Sequence, residues 1–259
     1  MRRLVSGSLI SLSLAVSAPL RASGEPPAAC DTPPEFVTTD ASLARVGTAI
    51  AAGGPVDILA VGSATTVGAV STSDQKTTAT DGSTFPEQMV RALNTELPKV
   101  RFTLTVRGGR GLSAEAMLKL IEEALKQQHY QLVMWQTGTV EAVRGLRPDG
   151  LLDVLHQGLD DIRDAGGDVV LVNPQFSRFL RANTDIDAYE DVLRQAAGTN
   201  SGVALFPRFE LMRTWADDGV IDLERTAKVD RDKTLDRLNF CLGQALAKLV
   251  LNGAAVSRK

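Results

Sequence analysis

Segments with the hydrophobic pattern of strands alternate along this chain with segments that have the periodicity of helices. The order of these segments predicts the fold class. Five short runs rich in β-branched residues are typical of strands, at 56–61, 101–106, 131–135, 168–172 and 203–206. Apolar residues at helical spacing predict helices at 41–52, 85–97, 113–127, 149–164, 185–197, 208–217 and 234–251. Because strands and helices alternate, the pattern predicts an α/β protein: a three-layer α/β/α sandwich with a five-stranded, parallel, flavodoxin-like sheet.

The two ends of the chain differ from this pattern. Residues 1–22 combine Arg2 and Arg3 with a short apolar stretch followed by small residues, which is typical of a secretory signal peptide. The apolar stretch is shorter than the roughly 20 residues that span a bilayer, so we expect no transmembrane anchor once it is removed. The remainder divides into an N-terminal arm and helix at 23–55, one domain at 56–252 and a tail at 253–259.

Composition narrows the classes of partner. The chain is 44% hydrophobic and 23% charged, as expected for one globular domain. Loss of Arg2, Arg3 and Arg21 with the signal would leave 25 Lys and Arg against 31 Asp and Glu, a net charge of −6. We therefore expect neither nucleic acid nor an anionic membrane as a partner. The oligomeric state stays open.

The chain has two cysteines, Cys30 and Cys241. An exported protein, periplasmic or secreted, with two cysteines is expected to form a single disulfide, here between the arm and the last helix. Two unpaired thiols and a lipid anchor on Cys30 are the alternatives. The two histidines, His129 and His156, lie away from the predicted strand ends, and no cluster of ligands indicates a metal site or a cofactor.

The segments that follow the strands carry the candidate chemistry, because ligands of open parallel sheets bind at the carboxyl ends of the strands. They are Gly62-Ser63-Ala64-Thr65-Thr66-Val67-Gly68, Arg107-Gly108-Gly109-Arg110-Gly111, Trp135-Gln136-Thr137-Gly138-Thr139-Val140 and Asn173-Pro174-Gln175-Phe176. In order and spacing these segments resemble the conserved blocks of the SGNH (GDSL-type) hydrolase superfamily, in an exported bacterial-type branch. The resemblance covers residues 56–250. It implies the SGNH fold and an ester-cleaving or acyl-transferring ancestry.

At three of the family's catalytic positions this chain departs from the pattern. The nucleophilic serine is third in the first block, where this chain has Ala64, whose methyl group cannot attack a carbonyl. The family's second oxyanion donor is an asparagine, where this chain has Val140, and loss of one such donor typically costs about a hundred- to a thousandfold in rate. The backbone donor of the second block is kept as Gly111.

The fourth block, Asp-x-x-His in the family, aligns with Asp230-Arg231-Asp232-Lys233, just before the last helix. Asn239-Phe240-Cys241-Leu242 supports this alignment, because it resembles the Tyr-x-Cys-Leu of one exported branch. Asp230 is then a retained orienting carboxylate and Lys233 replaces the general base, although lysine is a poor base at neutral pH unless it is desolvated. Asp232 and Asp222 are alternative equivalents of the aspartate.

Three functions are consistent with these substitutions. The leading hypothesis is a catalytically inactive domain that binds an acylated glycan or a protein partner, with Ser63, Thr65, Thr139 and Asn173 lining the binding site. The second is an active esterase, deacetylase or O-acyltransferase with a displaced nucleophile, Ser63 or its neighbour Thr65. The third is a structural scaffold in an envelope assembly. A deep pocket favours a binder, whereas a cleft filled by Val140 and its neighbours favours a scaffold.

Overall fold

The structure, a computed structural model, describes residues 30–68 and 84–256. The predicted signal at 1–22, the first residues of the arm and the last three residues of the tail lie outside the described residues. No helix in the described part of the chain is long and apolar enough to cross a membrane.

Within the described residues the chain forms one five-stranded sheet, and every pair of neighbouring strands is parallel. The strands are β1 Val56–Gly62, β2 Phe102–Gly108, β3 Leu132–Gln136, β4 Asp168–Val172 and β5 Val203–Phe206. Their order is β2-β1-β3-β4-β5, so β2 and β3 lie on opposite sides of β1. The predicted fold class is confirmed, and the carboxyl ends of all five strands share one edge.

Ten α-helices connect or cover the strands in the described ranges. They are α1 Ala44–Ala51, α2 Ala64–Val67, α3 Phe85–Glu96, α4 Ala114–Gln127, α5 Thr139–Arg144, α6 Pro148–Asp164, α7 Arg178–Asn183, α8 Ile186–Thr199, α9 Arg208–Asp217 and α10 Arg231–Val256. Helices α1, α3 and α10 pack on one face of the sheet, and α4, α6 and α8 pack on the other. Strands β3 and β4 are buried along their whole length because both faces are covered.

The N-terminal arm is attached to the domain by covalent and polar contacts. The predicted disulfide joins Cys30 to Cys241 of α10. Nearby, the indole nitrogen of Trp215 donates to the carbonyl oxygen of Asp31 at 2.5 Å, and the side-chain amide of Asn252 donates to the carbonyl oxygen of Val37 at 2.8 Å. The arm therefore packs against α9 and α10 instead of extending freely into solvent.

Helix α10 is longer than the predicted helix at 234–251 and continues to Val256, into the segment that we assigned to the tail. Gly253 permits this continuation, because a Cβ atom there would lie 2.8 Å from the side chain of Leu43. Ala254 is also fully buried. The last helical turn thus packs against the segment before α1, a contact that the local hydrophobic pattern did not indicate.

Candidate active-site cleft

The loops after β1, β2, β3 and β4 meet at the carboxyl edge of the sheet and surround two adjoining cavities. The small cavity has a volume of about 190 Å³ and is lined by Ser63, Ala64, Thr65, Arg110, Gly111, Gln136, Thr139 and Gln175. The large cavity has a volume of about 620 Å³ and shares Ala64, Thr65, Arg110 and Gln175 with it. We call the two together the cleft. The sequence blocks after β1, β2 and β3 therefore meet, as the resemblance implies.

Gln136, the last residue of β3, organises the floor of the small cavity. Its side-chain oxygen accepts hydrogen bonds from the backbone N–H of Ser63 at 3.1 Å, from the Ser63 hydroxyl at 2.9 Å and from the Thr66 hydroxyl at 2.9 Å. An amide oxygen accepts hydrogen bonds but is not a general base at neutral pH. The Ser63 hydroxyl, next to Ala64, is thus bonded to a group that does not take its proton.

Glu141, on α5, fixes the third block against its neighbours. Its buried carboxylate accepts hydrogen bonds from the backbone N–H of Gly138 at 3.0 Å and from the backbone N–H of Ala114, the first residue of α4, at 2.5 Å. Thr139 lies two residues before it and lines the small cavity, where its hydroxyl oxygen is buried and has no hydrogen-bond partner among the described residues. A buried hydroxyl without a partner is uncommon in a folded protein.

The residues of the first three blocks that the resemblance aligns with catalytic positions lie in or next to the cleft. Ala64 is the first residue of α2 and lines both cavities. Gly111 lines the small cavity with a φ of 75°. Val140 is half-buried in α5 and does not line either cavity, whereas the preceding Thr139 does. The small cavity is therefore not filled by the Val140 side chain.

The structure does not bring the fourth block to these residues. Asp230 ends a 3-10 turn, Lys233 lies in the first turn of α10, and both are exposed and line neither cavity. The alternative Asp232 is likewise exposed, and Asp222 pairs with Arg178 at 3.1 Å. The α10 residues that do line the large cavity come later in the helix: Leu235, Asp236, Leu238 and Asn239.

Asn173, predicted as a binding residue, is fully buried and lines neither cavity. Its side-chain oxygen accepts a hydrogen bond from the backbone N–H of Phe209 at 2.8 Å, and its amide group donates to Glu210 at 2.8 Å. Asn173 therefore attaches the end of β4 to α9. Its neighbour Gln175 is the residue of this turn that lines both cavities.

Neither histidine of the chain lines the cleft. His129 precedes β3 at the opposite edge of the sheet, where its Nδ1 atom lies 2.9 Å from the side-chain amide of Gln131. His156 is exposed on α6. In the described part of the chain, no group of three or more His, Cys, Asp or Glu residues is placed to hold a metal ion. The described lining offers hydroxyl, amide and guanidinium groups for a ligand.

Arg208 is a residue of the cleft that the sequence analysis missed. It is the first residue of α9, directly after β5 and Pro207, and it lines the large cavity while being only 2% exposed. Its guanidinium donates to the Thr65 hydroxyl at 3.3 Å and to the Gln175 side-chain oxygen at 3.1 Å. The signal available in the sequence was a charged residue at the carboxyl end of a strand, the edge where ligands bind.

Next to this site, α8 carries a buried carboxyl group that should make stability depend on pH. Burial, together with the charge of Glu210, raises the pKa of the Glu190 carboxyl to about 8. A folded-state pKa above the unfolded value of about 4.3 means that stability is lost as pH rises between these two values. One pKa unit corresponds to about 1.4 kcal/mol. Between pH 6 and pH 9, we expect the free energy of unfolding to fall by about 3 kcal/mol less in Glu190→Gln than in the wild type.

Urea denaturation at the two pH values measures this difference. Glu123→Gln, which neutralises an exposed carboxylate on α4, is the matched control and should follow the wild-type profile. Equal losses of stability in the wild type and in Glu190→Gln would contradict the prediction, because the pH dependence would then have another origin.

A three-layer α/β/α fold with a cleft built by three sequence blocks at the carboxyl edge defines a protein of the SGNH hydrolase-like class. Ala64 lines both cavities of this cleft. A family model shows the membership directly: the chain belongs to the non-GDSL lipase-like family, whose model matches residues 29–256. No curated protein matches the chain.

Solved structures of esterases and related enzymes share the fold. LAE5, an alpha/beta hydrolase enzyme from the metagenome of Lake Arreo in Spain, has a TM-score of 0.59 and 16% identity, covering 79% of this chain and 97% of its own. Axe2, an acetylxylan esterase from Geobacillus stearothermophilus, has a TM-score of 0.54 and 16% identity, covering 71% and 91%. TesA has a TM-score of 0.50 and 18% identity, covering 70% and 94%. At these identities the likeness establishes the fold.

Proposed function

We propose that this chain is an exported, non-hydrolytic member of its family that binds an acylated glycan in the cleft. The observation that carries the proposal is the arrangement around Gln136: its amide oxygen holds both the N–H and the hydroxyl of Ser63, next to Ala64. Hydrolysis by this class of site requires a nucleophile whose proton is removed by a base. Here the nucleophile position has a methyl group and the adjacent hydroxyl has an amide for a partner.

The charged groups of the cleft support the loss of catalysis. The described residues that line the two cavities include no histidine, lysine or glutamate, and their one carboxylate is the exposed Asp236. The remaining charged residues are Arg110 and Arg208, and a guanidinium does not accept a proton. Because nucleophile, base and oxyanion donors act as a unit, the retained Gly111 does not restore the reaction by itself.

Likeness to Axe2 supports the choice of ligand class. Axe2 is described as an acetylxylan and acetyl-xylooligosaccharide esterase, so its cleft takes an acylated glycan. Two of the similar Axe2 structures are catalytic mutants in which alanine replaces a serine or a histidine. By the proposal, this chain carries a comparable pair of losses naturally. Its cleft would still bind an acylated glycan but would no longer cleave the ester bond.

Two features support export and binding over a scaffold role. The N-terminal pattern at 1–22 is that of a secretory signal, and a disulfide between Cys30 and Cys241 persists in oxidising compartments. The cleft is open, because its cavities have volumes of about 190 and about 620 Å³ and Val140 lines neither of them. A vestigial cleft in a scaffold would be expected to fill with side chains.

A second candidate function is an esterase with a displaced nucleophile. The observation that favours it is that Ser63 and Thr65 both line the small cavity, where an ester carbonyl would have to bind. Its weakness is the missing base, because the two hydroxyl oxygens are 3.5 Å from each other and both face the Gln136 amide.

Hydrolysis of 4-nitrophenyl acetate by the purified chain separates these two functions. We expect the wild type to release nitrophenol at the rate of buffer, because no nucleophile and base are assembled in the cleft. The matched variants are Ser63→Ala and Thr65→Val, each removing one candidate hydroxyl. Wild-type activity that disappears in one of these variants would overturn the proposal and identify the displaced nucleophile.

A further inference from the structure

Arg208 presents a buried positive charge without a negative partner. Among the described residues, no carboxylate lies within ion-pair distance of its guanidinium, which contacts the neutral Thr65 and Gln175 side chains and lies 5.0 Å above the ring of Phe85. The Nε atom is buried and has no hydrogen-bond partner there. Taking a cation out of water is costly unless it is paired, and neutral contacts together with the ring offset only part of that cost.

The charges around Arg208 favour an anion in the large cavity. Burial lowers the pKa of the Arg208 guanidinium to about 9, which leaves it charged at neutral pH. Arg110 adds a second positive charge to the lining, and Asp236 is the single described carboxylate there, on the exposed side of α10. This local excess of positive charge contrasts with the whole chain, whose net charge is −3.

The large cavity is also shaped for a small organic ligand. Its volume of about 620 Å³ lies within the usual range for ligand pockets. Apolar side chains from three parts of the chain line it beside the guanidinium: Val67, Leu223, Leu235 and Leu238. Apolar walls strengthen the attraction between a guanidinium and an anion, because they exclude water from the contact.

We propose that the large cavity binds a ligand through a carboxylate group, with Arg208 as its counter-ion and the Thr65 and Gln175 side chains holding the guanidinium in place. A carboxylate fits better than a dianion, because the buried guanidinium of Arg208 balances one negative charge and the exposed charges of Arg110 and Asp236 offset each other. The inference rests on the proposed function for its ligand class: in a glycan, the carboxylate would be that of a uronate sugar.

Thermal unfolding and calorimetric titration with sodium D-glucuronate test the inference, at constant ionic strength against sodium chloride. D-glucuronamide is the neutral counterpart of the same sugar, and sodium phosphate tests for a preference for a dianion. We expect glucuronate to raise the Tm saturably, because a ligand that binds the folded state stabilises it, and glucuronamide to leave the Tm unchanged. A response to glucuronate no larger than to glucuronamide, or smaller than to phosphate, would overturn the inference.

Variants then locate the anion. In Arg208→Met we expect the affinity for glucuronate to fall at least tenfold, while the Tm in chloride stays equal or rises because an uncompensated buried charge has been removed. A purely structural arginine would give the opposite change in Tm. Arg91→Met replaces an exposed arginine on α3 and should bind as the wild type does. Unchanged glucuronate affinity in folded Arg208→Met would refute the assignment.

A second pair of variants tests the site without altering Arg208. Leu235 lines the cavity and is 40% exposed, so substitutions there should leave the fold intact. We expect Leu235→Asp to weaken glucuronate binding severalfold relative to Leu235→Asn, because only the former adds a negative charge. Equal affinities of the two variants would contradict the placement of glucuronate in the large cavity. A chain that binds glucuronate and also hydrolyses esters would contradict the proposed function but not this inference. A chain that neither hydrolyses esters nor binds glucuronate would contradict this inference but not the absence of hydrolysis.

Discussion

Replacing Gly108 with alanine is expected to lower the free energy of unfolding by about 5 kcal/mol or more, in the exceptional range for single substitutions. Gly108 pairs with Gly62 at the carboxyl ends of β2 and β1, and a Cβ atom on Gly108 would lie 1.9 Å from the Gly62 carbonyl oxygen. The Gly108 φ of 139° adds strain for any other residue. The two strands would have to separate where Ser63 and Gly109 begin the cleft.

Gly150→Ala is the matched control for this prediction. Gly150 lies in α6 with an ordinary φ, and a Cβ atom added there would meet no other atom within 4 Å. Alanine at this position should stabilise the helix by about 0.5–1 kcal/mol, because glycine is a poor helix former. Chemical denaturation of both variants measures the contrast. A Gly108→Ala variant as stable as the wild type would mean that β1 and β2 do not approach each other this closely.

Replacing Gln136 with alanine is expected to cost about 4 kcal/mol. The substitution removes the acceptor shared by the Ser63 N–H, the Ser63 hydroxyl and the Thr66 hydroxyl, and Thr66 is fully buried. Each buried donor left without a partner costs about 1–3 kcal/mol, and water entering the small cavity recovers part of that loss for Ser63. The loop after β1 would lose its attachment to β3.

The comparison variant for Gln136 is Gln195→Ala, on the exposed side of α8, where the change should stay within about 0.5 kcal/mol. Denaturation curves of the two variants give the difference directly. Equal stabilities would show that the Gln136 amide neither supports the cleft nor holds the Ser63 hydroxyl. A destabilised Gln136→Ala with no gain in ester hydrolysis would agree with the proposed function.

Both substitutions act on the same small region, at the carboxyl ends of β1, β2 and β3. Gly108 allows β1 and β2 to pair up to their last residues, and Gln136 holds the first loop against β3. Neither contact involves the side chain of Ala64. By the proposed function, catalysis would be lost without loss of the cleft.

Much of the fold could be predicted because its signals are local. The runs at 168–172 and 203–206 coincide with β4 and β5, and the helix predicted at 85–97 differs from α3 by one residue. Hydrophobic periodicity reports which side of an element is buried, so it identifies elements and their type. Alternation of strands and helices then leaves few topologies, since parallel crossovers are right-handed.

The candidate site was predicted in part. Residues in the blocks that follow the first strands were placed correctly, whereas residues farther along the chain were not. Ser63, Gly111 and Thr139 meet as predicted from blocks that follow neighbouring strands. Asn173 was predicted to bind and instead supports α9, and the Asp230 block was placed by a short motif in a charged region where α10 begins earlier than predicted. A motif identifies residue types, but the start and angle of the last helix decide which of its side chains reach the cleft.

The sequence by itself determined the α/β sheet, the disulfide partners and the alanine at position 64, because each follows from residue identity or local periodicity. Only the tertiary structure decided the roles of Gln136 and Arg208. Gln136 bonds to Ser63 across 73 positions and Arg208 to Thr65 across 143 positions of the chain. The partners of a buried polar group are set by which elements pack together, and no local pattern in the sequence encodes such a pairing.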